Sequence, residues 1–176
     1  MSESSSSIVA YLTSLSDDDR ADALHRCCGS RRWAKELSAR ILSERIEDHD
    51  QLFALSDLVW ANMDKADYLE AFTHHPKIGA DPDQLRERFR TTHTWSKNEQ
   101  SGMSSASEET IQSLVRGNTD YLEKFGYIFI VCATGKSADE MLALLQARLP
   151  NDPADEINLA AAEQAKITRI RMEKLS

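Results

Sequence analysis

The chain has 176 residues, a hydrophobic fraction of 41%, a charged fraction of 28% and a formal net charge of −8. Length and composition suit one globular domain. The acidic balance lacks the basic footprint that nonspecific nucleic-acid binding needs, and no apolar run approaches the length required to span a bilayer, so neither partner is expected. Met1-Ser2-Glu3-Ser4-Ser5 lacks the basic flank and apolar stretch of a secretory signal. Cys27, Cys28 and Cys132 are odd in number and have no zinc-like spacing. They read as reduced thiols of a cytoplasmic protein.

Residues 1–7 are serine-rich and read as a frayed tail, leaving 8–176 as a single helical domain. Ile8, Leu12 and Leu15 share one helical face. Ser16-Asp17-Asp18-Asp19 starts a second helix with Ala21, Leu24 and Cys28 at helical spacing, and Gly29-Ser30 breaks it. Trp33, Leu37 and Ile41 mark a third, and Leu52, Leu55, Leu58 and Val59 a fourth. A fifth is predicted over 62–74 with Tyr68, Leu69 and Phe72 inward. Pro76 stops it, since the residue before a proline is pushed out of helical geometry. A loop follows over 78–82, then a short helix over 83–90, irregular chain over 91–95, and a turn of helix from Ser96 to Gly102. Ser107-Glu108-Glu109 starts a long helix through Ile111, Leu114 and Val115 towards Tyr121. The continuous apolar run Phe125–Cys132 has the length and β-branching of a strand, but no second strand exists to pair with it. It is therefore expected to be a buried extended or helical segment. Ser137 and Glu140 have capping-box spacing for a helix over 137–149. The last helix starts near Pro153, with Ile157, Ala160, Ala161, Ile167 and Ile170 inward. The class is all-α.

Two clusters carry the chemistry. His75-Pro76 ahead of Lys77-Ile78-Gly79 holds an imidazole beside a proline-stiffened turn. A histidine there can simply satisfy the last carbonyls of a helix, or it can do acid/base work, which needs a fixed direction. Ser96, Glu99 and Gln100 fall at i, i+3 and i+4, so all three face one side of a turn. Ser-x-x-Glu is also a capping box, a reading that leaves Gln100 without a role. Arg171 shares the face of Ile167, so its guanidinium either meets a polar partner or snorkels to solvent. Arg169 is expected to point away. His74, His75, Asp81 and His93 match no metal-binding pattern, so no metal is expected.

These residues resemble the family of 2-oxo-4-hydroxy-4-carboxy-5-ureidoimidazoline (OHCU) decarboxylases of urate breakdown. The resemblance rests on His75-Pro76-Lys77-Ile78-Gly79, on Ser96, Glu99 and Gln100, and on Tyr121 followed by Lys124-Phe125-Gly126-Tyr127-Ile128-Phe129-Ile130-Val131-Cys132-Ala133. It continues through Arg148-Leu149 and Asn151 to Lys166-Ile167 and Ile170-Arg171-Met172. It covers nearly the whole chain in order. It departs where Ala39-Arg40-Ile41-Leu42 replaces the Arg-Pro-Phe often seen after the tryptophan helix.

What the resemblance implies is an all-α, cofactor-free, usually homodimeric enzyme that yields (S)-allantoin from OHCU. Carried over by position, His75 is the proton donor and Glu99 the second catalytic residue. Pro76 lines the pocket. Ser96 and Gln100 bind substrate, as do Arg171 and the backbone of Val131, Cys132, Ala133, Thr134 and Gly135. Two other readings stay open at this point: an acid/base enzyme for a related ureido or imidazoline compound, and a helical interaction module without catalysis. Retention of His75, Glu99 and Gln100 together speaks against the second.

Overall fold

Short polar residues decide where these helices begin. The computed structural model describes residues 5–76, 81–93 and 103–176. Among them the chain forms nine α-helices and no strand, so the all-α class holds. They are α1 (Ser5–Ser14), α2 (Asp17–Cys28), α3 (Arg31–Ser43), α4 (His49–Ala61), α5 (Lys65–Thr73), α6 (Pro82–His93), α7 (Met103–Phe125), α8 (Ala138–Arg148) and α9 (Pro153–Met172). Ser16, Ser30, Asp48, Asp64 and Ser137 each accept a backbone N–H from the turn that follows. That satisfies donors the first turn of a helix otherwise leaves open. The Ser137/Glu140 capping box is present.

Several boundaries differ from expectation. α1 opens at Ser5, inside the serine-rich segment read as a tail. α5 starts at Lys65 rather than at residue 62, because Asp64 and Asp67 form their own capping box and Asn62 caps the end of α4. Residues 91–93 are helical rather than irregular. α6 is seeded by Asp81, whose carboxylate accepts the Asp83 N–H at 2.9 Å and whose carbonyl accepts that of Leu85. Pro82 takes the first helical position, where a missing N–H costs nothing. α7 starts at Met103, ahead of Ser107. Residues 77–80 and 94–102 lie outside the described residues, and with them most of the predicted 78–82 loop and the predicted helical turn at Ser96.

The contacts divide the chain into two compact units, Met1–His74 with Ala161–Ser176, and His75–Ala160. In the first, α2 packs on α3, α3 on α4 and α5, and α1 on α4. Leu12, Leu24, Trp33, Leu37, Ile41 and Leu52 are fully buried there. Both of its indoles are satisfied, Trp33 donating to the Ser56 carbonyl at 3.3 Å and Trp60 to that of Ala161 at 2.9 Å. Leu58, expected inward, is 51% exposed. In the second unit α7 packs on α6 and α8, and Arg86 of α6 forms a two-pronged pair with Glu108 of α7. That pairing, first through its hydrogen bonds, holds the Glu108 carboxyl down at about 2.

The inward face of α9 differs most. Ile157, Ile167 and Ile170 are only half-buried. The buried residues are Glu156, Ala160, Ala161, Gln164, Thr168 and Met172. Periodicity weights isoleucine above polar residues, but a polar side chain goes inside readily once it has partners. Gln164 donates to Thr168 at 3.1 Å, and Glu156 is met from three sides. Among the described residues no helix is long and apolar enough to cross a membrane.

Candidate active site

His75 is the first residue of the second unit. α5 ends at Thr73, and His74 caps it by donating to the Ala71 carbonyl at 3.2 Å. The chain bends at His75, which is half-buried, and Pro76 is exposed. The stop has the physical origin read from the sequence, the conflict between proline and a helical predecessor.

The other part of the site expected in this unit is Val131–Gly135. α7 terminates at Gly126, whose φ of +81° suits glycine and whose N–H reaches the Leu122 carbonyl at 2.9 Å. The apolar run that follows is neither helix nor strand. Tyr127 is buried, and from Ile130 to Ala133 buried and half-buried residues alternate, as in extended chain. With no neighbouring strand among the described residues, its carbonyls find side-chain cations. Arg148 Nη1 donates to the Ile130 carbonyl at 2.7 Å, and Lys136 Nζ to that of Cys132 at 2.8 Å. Thr134 and Gly135 are exposed at a turn closed by the Lys136 N–H on the Ala133 carbonyl.

Arg148 sits in a buried polar knot. Its Nε and Nη2 lie 2.6 and 2.5 Å from Glu156 Oε1, and Glu156 is 0% exposed. Tyr121 donates to the same oxygen at 2.5 Å, and Asn151 donates to Oε2 at 2.9 Å. Burial first, then the hydrogen bond to Glu156, pushes the Tyr121 phenol well above its ordinary range, so it stays a donor. Sequence reasoning did not single out Arg148, Glu156 or Lys136 for a role. The usable signal was an apolar run without a strand partner, since its backbone groups must be satisfied somewhere.

In the first unit, Arg171 is half-buried and Nη1 donates to the Cys27 carbonyl at 3.3 Å. Arg169 is exposed, paired with Glu173 and lying 4.4 Å over the Phe53 ring. The two arginines therefore differ in the direction expected. Burial pushes the Cys27 thiol up to about 11 and the Cys28 thiol to about 12, so neither is a nucleophile at neutral pH. His74 meets His25 edge-to-face at 5.0 Å. Ser96, Glu99 and Gln100 lie outside the described residues.

Residues 13–173 match the family model for OHCU decarboxylase. The chain is 38% identical over 151 residues to the uric acid degradation bifunctional protein TTL of Arabidopsis thaliana, covering 85% of this chain and 45% of that protein. It is 29% identical over 98 residues to a 2-oxo-4-hydroxy-4-carboxy-5-ureidoimidazoline decarboxylase of Xenopus laevis, covering 56% and 55%. The matches thus span about half or less of these curated relatives. A crystal structure of OHCU decarboxylase in the presence of (S)-allantoin is 32% identical, with a TM-score of 0.65 over 91% of this chain and 97% of that one. A structure of (S)-allantoin synthase at 22% identity and TM-score 0.67, matched over 93% of this chain and 52% of that one, shares the fold. With the motifs in order, the helices in place and the match running from residue 13 to residue 173, the chain belongs to the OHCU decarboxylase family.

Proposed function

We propose that this chain decarboxylates OHCU to (S)-allantoin by acid/base catalysis without a cofactor. The observation that carries the reading is the match over 97% of a structure described as OHCU decarboxylase in the presence of (S)-allantoin. The chemistry is self-sufficient. As the carboxylate leaves as carbon dioxide, its bonding pair moves into the adjacent C=N of the substrate, so no external electron sink is required. Glu99 engages the hydroxyl on the reacting carbon, and His75 delivers a proton to one face of the ene-type intermediate. General acid/base help of this kind is worth about 10²- to 10⁴-fold. Ser96, Gln100 and the backbone of Val131, Cys132, Ala133, Thr134 and Gly135 supply hydrogen bonds to substrate. Pro76 stiffens the chain after His75, and Arg171 supplies a positive charge for the substrate. A cytoplasmic homodimer is part of the same reading.

The test is to add purified protein to freshly generated OHCU and follow its loss together with the circular dichroism of the product. Uncatalysed protonation has no preferred face and yields both hands. Accelerated loss giving one hand of allantoin supports the reading. An unchanged decay rate refutes it, and turnover of a related ureido compound alone moves the activity to that substrate.

A further inference from the structure

We propose that Arg148, clamped by Glu156 and Tyr121, is a positioning residue that fixes the backbone of Ile130–Gly135 for substrate. The proposal rests on the functional reading above, in which that backbone meets OHCU.

A guanidinium has donors in a fixed planar fork. In Arg148 two of its nitrogens are committed to Glu156 Oε1, at 2.6 and 2.5 Å. The remaining Nη1 is thereby aimed at the Ile130 carbonyl, 2.7 Å away. The plane is held as well, 4.7 Å over the Phe129 ring, and Nη2 lies 3.4 Å from the Tyr121 hydroxyl. Glu156 is itself immobilised by Tyr121 on one oxygen and Asn151 on the other. Each part of the chain of contacts is buried, with Arg148 8%, Glu156 0% and Tyr121 0% exposed.

A buried ion pair is seldom the most stable way to fill a core, since apolar residues of similar volume often do as well or better. What it supplies is direction. Lys136 makes a second clip two residues along, on the Cys132 carbonyl at 2.8 Å. In extended chain, successive peptide groups face opposite sides. Holding the carbonyls of Ile130 and Cys132 on cations therefore turns the Val131 carbonyl the other way, while that of Ala133 closes the turn on the Lys136 N–H. Val131 opens the stretch of backbone that the functional reading assigns to substrate.

The test uses the full chain with Tyr121→Phe and Arg148→Lys. Tyr121→Phe removes one hydroxyl and keeps the ring, and Arg148→Lys keeps the charge and removes the fork. Hydrogen exchange of peptides spanning 128–136 is read beside KM and kcat for OHCU. Exchange there is expected to quicken while that of α2–α4 stays put. KM is expected to rise about tenfold in Arg148→Lys and about threefold in Tyr121→Phe, the scale of one hydrogen bond. A purely structural role would lower the folded fraction, and so the apparent kcat, at unchanged KM. Unchanged KM in the folded variants, or raised KM with unchanged exchange, overturns the proposal. If Arg148→Lys does not fold, Tyr121→Phe decides it. Wild-type protein that leaves OHCU untouched overturns the functional reading instead, whereas active wild type with variants of unaltered KM overturns the positioning role alone.

Discussion

Replacing Gly29 by alanine measures how tightly the end of α2 is set against His74. Gly29 caps α2 at φ 91° and ψ −6°, and its N–H reaches the His25 carbonyl at 2.8 Å. An L residue in that left-handed region costs roughly 1–2 kcal/mol. The new Cβ would also stand 2.9 Å from both Cβ and Cγ of His74 and 3.1 Å from its Cδ2. No rotamer of His74 relieves the first of these contacts, because its Cβ is fixed to the end of α5. Overpacking of this kind costs about 1–3 kcal/mol. Alanine recovers only about 0.4–1 kcal/mol by restricting the unfolded chain. The expected net loss is about 1–5 kcal/mol, set against the roughly 5–15 kcal/mol that holds a typical protein folded. Urea unfolding reads it as a shifted midpoint at constant slope. In a His74→Gly background the steric part should vanish and the backbone part remain, so the two substitutions couple by about 1–3 kcal/mol. A loss under about 1 kcal/mol, or equal losses in both backgrounds, would refute the reasoning.

His75→Asn should leave the melting curve close to wild type and cut turnover of OHCU by at least about 10²-fold. Near-normal turnover would remove His75 from the mechanism. Arg171→Met should weaken (S)-allantoin binding by roughly 1.5–3 kcal/mol, the value of a hydrogen bond to a charged group, while Arg169→Met leaves it unchanged. Titration of both by calorimetry checks this, and the reverse pattern would assign the binding to Arg169. Cysteine in an unfolded chain ionises near about 8.5, whereas burial holds Cys27 to about 11 and Cys28 to about 12. Their folded values are raised, so the stability they contribute is complete below about pH 8.5 and is lost as pH climbs towards about 11. The urea midpoint should fall more steeply across that window in wild type than in the Cys27→Ala, Cys28→Ala double variant, and equal slopes would contradict the assignment.

What was legible in the sequence was mostly local. The helix starts at Ser16 and Ser137 follow from a hydroxyl placed before an acidic turn, and a neighbour three residues on is enough to specify them, whereas Ser30 was read only as a break and proves to cap α3. The halt before Pro76 is equally local. The apolar run after Phe125 was ambiguous because length and β-branching do not separate strand from other buried chain. What decides it is a positive-φ glycine at 126 and a cation 18 residues away, at Arg148. On α9, Ala160 and Ala161 are buried as expected, but Ile157, Ile167 and Ile170 are half-buried and polar residues take the core face for the same reason. Glu156 is buried on account of Tyr121, 35 residues earlier, a partner that periodicity does not see. Of the residues expected in the site, His75, Pro76, Arg171 and residues 131–135 fall among the described ones, while Ser96, Glu99 and Gln100 lie outside them.

The polar lining of α9 has a consequence for the two arginines near its end. An isoleucine stripe sets the angle of a helix loosely, since one apolar contact exchanges for another at small cost. In the first unit Gln164, Thr168 and Met172 are buried beside Ala161 instead. Gln164 is tied to Thr168, and Met172 Sδ receives the Ser56 hydroxyl at 3.7 Å. Gln164 and Thr168 turn together, so their own bond survives a roll of the helix by one residue, about 100°; what such a roll breaks is the Thr168 hydrogen bond to the Cys28 thiol of α2 and the Ser56 hydroxyl's bond to Met172 Sδ. Arg169 and Arg171 are separated by about 200° of helical rotation, so the angle that suits Thr168 against Cys28 and Met172 against Ser56 also assigns the guanidiniums. Arg171 is turned onto the Cys27 carbonyl and Arg169 out to Glu173. A hydroxyl and a thioether that touch neither arginine thus act as a selector between two otherwise equivalent charges. Substituting them with well-packed apolar residues would leave the helix in place but free its azimuth, blurring the distinction between Arg169 and Arg171.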